Sequence, residues 1–251
     1  MLNNLKLRLA ASLWLLGMTG VVIVVSATLP QLLTRVPRQV PLGVALAASM
    51  LQSGLMLAMA VWAGVSLSRP LGLGAPVIEA ALARSNVWPE IRRQFFPAVL
   101  AGAVAGAQLL LFELLAPTAV INAAHTVSIP LAAKVFYGGV TEEVLMRWGV
   151  MTAMIWLPWR IWQKKTGAPK PVYVVGAVAV TAVLFALGHL PAVIAMGIGL
   201  TTPVIAYIVV GNALPGVLFG LLYWRNGLEA AMIAHALGHV IATLAEGIQY
   251  G

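Results

Sequence analysis

The chain has 251 residues, 61% of them hydrophobic and 9% charged, with fifteen Lys and Arg against seven acidic side chains and a formal charge of +8. A mean hydropathy of +0.96 excludes an ordinary soluble domain, and long unbroken apolar runs in place of short alternating ones exclude an outer-membrane barrel. With no cysteine and no aspartate, a disulfide framework, a thiolate zinc site, a cysteine nucleophile and an aspartyl dyad are excluded as well.

The expected fold is all-α, a polytopic membrane helical bundle of about eight transmembrane helices with one interfacial segment. Lys6 and Arg8 precede a first span at about 9–29, read as a retained anchor because no small-residue cleavage site follows. Residues 30–41 form a loop with Arg35 and Arg38, and a second span covers about 42–66. From Ser68 to Gln94, Pro76 and Pro89 suit first helical turns, and Val77, Ile78, Ala81 and Leu82 share a face. With Trp88, Arg84, Arg92 and Arg93 this reads as helix lying on the membrane, an ordinary cytoplasmic loop being the alternative. A third span at about 96–115 ends near Glu113, a position suited to a snorkelling carboxylate, and His125 falls in the loop beyond.

A fourth apolar run, about 127–158, carries Glu142, Glu143 and Arg147, with Lys134 near its start, where a long side chain can snorkel. A charge at the centre of a span costs about 2.5–3.5 kcal/mol, so it persists only with partners or a task. On an α-helix Glu143 and Arg147 are four apart in the favourable order for an ion pair. Glu142 lies about 100° round from Glu143 and is free to face something else. After the basic loop of Arg160, Lys164, Lys165 and Lys170, a fifth span at about 172–189 ends at His189, near the outer end of its helix. Gly211-Asn212 divides the next apolar stretch into spans at about 192–209 and 212–224, a re-entrant 192–224 giving seven spans in place of eight, and Gly216 and Gly220 permit a close helix neighbour. The last span, about 228–247, carries His235 and His239. An N-terminus inside leaves Lys6, Arg8, Arg69, Arg84, Arg92, Arg93, Arg160, Lys164, Lys165 and Lys170 cytoplasmic, with Arg35, Arg38, Lys134 and Arg225 opposite. The basic excess therefore serves topology and anionic lipid, not nucleic acid.

Each intramembrane polar group taken singly reads as packing glue between helices. A Glu pair, a His at the end of another span and two His at i, i+4 in a third together read as a site. The available chemistry is carboxylate and imidazole: a carboxylate to take a proton from water, imidazoles to share it or to donate to a developing oxyanion. Glu plus three His can hydrolyse an amide without a Ser or Cys nucleophile.

The pattern Glu142-Glu143-x-x-x-Arg147, Phe185-x-x-x-His189 and His235-x-x-x-His239 resembles the CAAX protease and bacteriocin-processing (CPBP) family, whose founding members are the type II CAAX prenyl endopeptidases. The stretch Gly216 to Arg225, leading into Leu228-Glu229-Ala230-Ala231, is similar to bacterial members, which implies a prokaryotic plasma membrane. The resemblance covers about Val127 to Thr243. It implies N-terminal helices over 1–126 and a catalytic helical core over 127–251, within one integral membrane domain. It further implies a glutamate-type intramembrane protease in which Glu142 activates water, His235 assists it, His189 holds the oxyanion, and Glu143 and Arg147 support the site. His239 stands where the family usually has Asn or Asp, and an imidazole N–H can replace the amide donor. The implied partners are membrane lipids and a membrane-associated peptide or protein substrate, with no cofactor and a site open to the cytoplasm. Two other readings stay open. His235 and His239 have the spacing of zinc ligands, without the Glu between them. A non-catalytic membrane scaffold or immunity protein is the other.

Overall fold

In a hydrocarbon solvent the backbone has only itself to bond to, so long apolar runs become helices. The computed structural model describes residues 2–34, 40–124, 127 and 129–250, and all regular structure among them is helical. Arg35, Arg38 and His125 lie outside the described residues. Helix α1 covers residues 2–33, with a π-helical turn at Val24–Thr28; α2 is Leu42–Leu67, α3 Pro76–Leu82, α4 Trp88–Glu113 and α5 Thr118–Ala124. Helix α6 runs unbroken over residues 131–161, followed by α7 (Pro171–Leu187), α8 (Leu190–Ala195), α9 (Thr202–Asn226) and α10 (Leu228–Tyr250).

Among the described residues, six segments are long and apolar enough to cross a membrane: α1, α2, α4, α7 with α8, α9 and α10. Helix α6 is long enough as well, at roughly 40 Å, but carries Lys134, Glu142, Glu143 and Arg147. The bundle is the expected all-helical one, and its count agrees roughly with about eight helices.

Two boundaries differ from expectation. The stretch expected as two spans, 192–209 and 212–224, holds one long helix, α9, preceded by short α8 and a loop. Gly211 is not a break but a close approach: a Cβ there would lie 3.1 Å from Phe112 of α4, and its carbonyl accepts from Gln108 Nε2 at 2.9 Å. Asn212 turns its amide back to the Ile208 carbonyl at 2.8 Å, so its polarity is satisfied within the helix. Where water is absent, an interrupted backbone costs more than the weak helix propensity of either residue. The interfacial segment is also shorter than expected. Only Pro76–Leu82 is a separate helix, while α4 begins at Trp88 with Pro89 in its first turn and takes Arg92 and Arg93 into the span's own helix.

The connection between α9 and α10 is pinned to α3. The Leu228 N–H donates to the Gly74 carbonyl at 3.0 Å, and Glu229 Oε1 accepts the Ile78 N–H at 2.8 Å. Gly227, with φ 109°, leaves room for Pro76, whose Cδ would lie 2.6 Å from a Cβ. Arg93 Nη2 donates to the Asn226 carbonyl at 3.3 Å. Arg225 therefore lies at the same end as Arg93, not at the opposite one as expected, because α9 crosses once instead of twice.

One apolar core draws on Leu13, Leu57, Trp148, Val178, Phe219 and Leu228, residues of six different long helices. Glycines set the closest packing. Gly216 meets Ala182 and Gly220 meets Val178, which seats α9 on α7 as the glycine spacing anticipated, and the Trp148 ring lies on Gly64 of α2.

Candidate active site

Around the Glu pair, α6 departs from α-helical winding: Lys134–Glu142 and Val144–Met151 are both π-helical, meeting at Glu143. Such winding, with i→i+5 bonds, is rare outside single turns. A wider coil turns less per residue than the 100° of an α-helix, so Glu142 and Glu143 diverge less than α-helical geometry predicts. Both reach the same imidazole. Glu143 Oε1 is 3.0 Å from His235 Nδ1, and Glu142 Oε2 is 4.0 Å from His235 Nε2. Glu142 nonetheless faces apart from the Glu143–Arg147 pair, toward the other nitrogen of the imidazole.

Glycines bring α10 within that reach. A Cβ on Gly139 would stand 2.7 Å from the Ala236 Cβ, and one on Gly138 would stand 3.0 Å from His239 Nε2 and 3.4 Å from His235 Nε2. The His235 ring is clamped between Phe219, stacked at 4.6 Å, and His239, stacked at 5.0 Å, with Phe185 edge-on at 6.0 Å. Phe219 was read only as part of the glycine stretch. Its position three residues after Gly216 and directly before Gly220, on the face that α9 turns inward, is the available signal.

The expected ion pair is present and fully buried, with Arg147 Nε 3.2 Å from Glu143 Oε2 and both side chains 0% exposed. The guanidinium also lies over the Phe185 ring at 5.6 Å. Glu143 thus serves Arg147 with one oxygen and His235 with the other. The Glu142 side chain keeps 19% of its surface open, which makes it the carboxylate that water and a substrate can reach.

His189 stands between α7 and α8, its Nδ1 2.9 Å from the Phe185 carbonyl and its ring edge-on to Phe185 at 4.8 Å. Phe185 stands edge-on to His235 as well, at 6.0 Å, so one ring lies against both imidazoles. Lys134 Nζ donates to Thr243 Oγ1 at 3.0 Å, tying the start of α6 to α10 one turn beyond His239. All six site residues expected from the sequence therefore gather from α6, α10 and the end of α7.

Hydrogen-bond roles follow from the acceptors. A carboxylate only accepts, so His235 donates from Nδ1 to Glu143 and presents Nε2 as a proton acceptor toward Glu142. The 4.0 Å gap is too long for a direct bond and suits a water held by both groups, since two bonds of about 2.8 Å span it at roughly a right angle. A backbone carbonyl also only accepts, so His189 carries its proton on Nδ1; its Nε2 donates only when the ring is imidazolium. Among the described residues, no group of three or more His and Glu side chains is arranged to hold a metal ion.

Residues 124–241 match the family model of the type II CAAX prenyl endopeptidases, described as Rce1-like. This part of the chain is similar to that family. The match runs from the end of α5 into α10 and takes in the six expected site residues, from Glu142 to His239. No curated protein and no solved structure matches the chain. The Rce1-like family is one of endopeptidases of CAAX type, and the chain is an integral membrane protein.

Proposed function

We propose that this chain is a glutamate-type intramembrane endopeptidase that cleaves a membrane-associated peptide without a metal. The observation that carries the reading is His235 held between two carboxylates, with Glu143 fixing its tautomer and Glu142 facing its free nitrogen across a water-sized gap. Water in that gap gives a proton to Glu142, with His235 Nε2 sharing it, as its oxygen attacks the scissile carbonyl carbon. The carbonyl oxygen becomes an oxyanion, stabilised by an N–H of His239 and by His189 in its imidazolium form. When the C–N bond breaks, Glu142 returns the proton to the leaving amine nitrogen, and the products are a carboxylate and an amine.

By the positive-inside rule the end bearing Lys6, Arg69, Arg93, Lys164 and Arg225 faces the cytoplasm, with the N-terminus on that side. His235 is the eighth residue of α10, about 10 Å from that end by helix rise.

The test is a peptide cleaved by purified parent protein, assayed again with Glu142→Gln. The amide keeps the shape but cannot take the proton, and the rate is expected to fall about 10²–10⁴-fold with thermal stability unchanged. Near-parental activity in Glu142→Gln removes Glu142 from this role. Stoichiometric zinc that tracks with activity through exhaustive chelation removes the metal-free mechanism.

A further inference from the structure

At the basic end, away from the catalytic groups, a cleft opens between the start of α1, the end of α2 and α3. Lys6 and Arg69 stand on its rim, Glu79 closes the α3 side, and Ser68 lies at its floor. The remaining wall is apolar: Leu5 and Leu9 from α1 and Val65 from α2. Neither Lys6 nor Arg69 has an ion-pair partner among the described residues. Glu79 uses Oε1 to accept the Ala75 N–H at 3.0 Å, which caps the start of α3 and leaves its second oxygen for another donor.

We propose that this cleft binds a phospholipid whose headgroup carries both a phosphate and a primary ammonium, the chemistry of phosphatidylethanolamine. Two cations meet the phosphate, and Glu79 meets the ammonium. The apolar wall takes the first methylenes of an acyl chain, at the depth where spanning helices end and headgroups lie. A headgroup with net negative charge and no amine gains from Lys6 and Arg69 but is opposed by Glu79. A quaternary ammonium offers Glu79 no N–H. The combination therefore selects for a primary amine. The inference does not depend on the peptide-bond chemistry.

Native mass spectrometry of the full-length protein, titrated with phosphatidylethanolamine, phosphatidylcholine or phosphatidylglycerol, tests it. Phosphatidylethanolamine should bind more tightly than phosphatidylcholine. The Lys6→Ala/Arg69→Ala variant should lose roughly 25-fold in phosphatidylethanolamine affinity, from about fivefold for each cation. Glu79→Gln keeps an acceptor for Ala75, so α3 stays capped; it should lose the preference for ethanolamine over choline while still binding phosphatidylglycerol. Unchanged lipid binding in the double variant, or a preference that survives Glu79→Gln, overturns the proposal. Inorganic phosphate alone displacing the lipid at equal concentration would make the site a free-phosphate site and reject the lipid reading. Unfolding temperature in detergent, expected to match the parent for both variants, separates loss of binding from loss of fold.

Discussion

Glu143 accepts from Arg147 Nε and from His235 Nδ1 with separate oxygens, so one side chain links the stability of α6 to the protonation state of the reactive imidazole. These two duties can be separated. Arg147→Ala strands a buried carboxylate and should lower unfolding stability in detergent by about 3–5 kcal/mol. Glu143→Gln with Arg147→Met removes both charges and should recover much of that loss. Activity should nevertheless stay roughly 10²–10⁴-fold below the parent, because an amide can donate to Nδ1 and favour the wrong tautomer of His235. A double variant with full activity would show that Glu143 does not orient the ring. At His239 the expectation differs by substitution. His239→Asn supplies an N–H from the same side of α10 and should stay within about tenfold of the parent, whereas His239→Ala should lose roughly 10²–10³ in rate. Steady-state kinetics on one peptide distinguishes the two outcomes.

Between α6 and α10 the glycine contacts decide how near the imidazoles come to the carboxylates. A methyl at Gly139 meets the Cβ at 2.7 Å and the backbone of Ala236 at 3.0 Å, and backbone cannot rotate away as a side chain can. Gly139→Ala should therefore push α10 off α6, costing about 1–3 kcal/mol and most of the activity together. Gly176 of α7 has nothing within 4 Å of its added methyl. Gly176→Ala should leave activity unchanged and stability unchanged or raised by about 0.5–1 kcal/mol. Parallel unfolding and activity measurements on the pair check that packing, not helix propensity, sets the difference. The π-helical winding belongs to the same scale. Nothing in the sequence from Lys134 to Met151 marks a change of period there.

Across the whole molecule, single passage of α9 fixes which loops share a side. The chain has no cysteine, so single introduced cysteines report topology directly. Lys164→Cys and Arg225→Cys should both react with an impermeant thiol reagent from the cytoplasmic side, and Leu200→Cys only from the opposite side. Labelling of Arg225→Cys only from the opposite side, with Leu200→Cys protected within a span, would restore the two-span reading of 192–224 and dismantle the bundle described here.

Composition and hydropathy alone were enough for a helical membrane bundle, because burying a backbone in lipid leaves helices as the solution for long apolar runs. The Glu143–Arg147 pair was legible too, since both partners lie on one helix and their spacing is local. So was the grouping of Glu142, His189, His235 and His239, because ionisable residues inside spans are costly enough to mark themselves. What joins those groups was not legible. That both carboxylates reach one imidazole depends on the winding of α6 and on how closely Gly138 and Gly139 let α10 approach. That Gly211 and Asn212 continue a helix depends on Phe112 and Gln108, a hundred residues away in sequence. The clamp of Phe219 on His235 and the hold of Glu229 on Ile78 likewise arise between elements, where distance along the chain carries no information about distance in space.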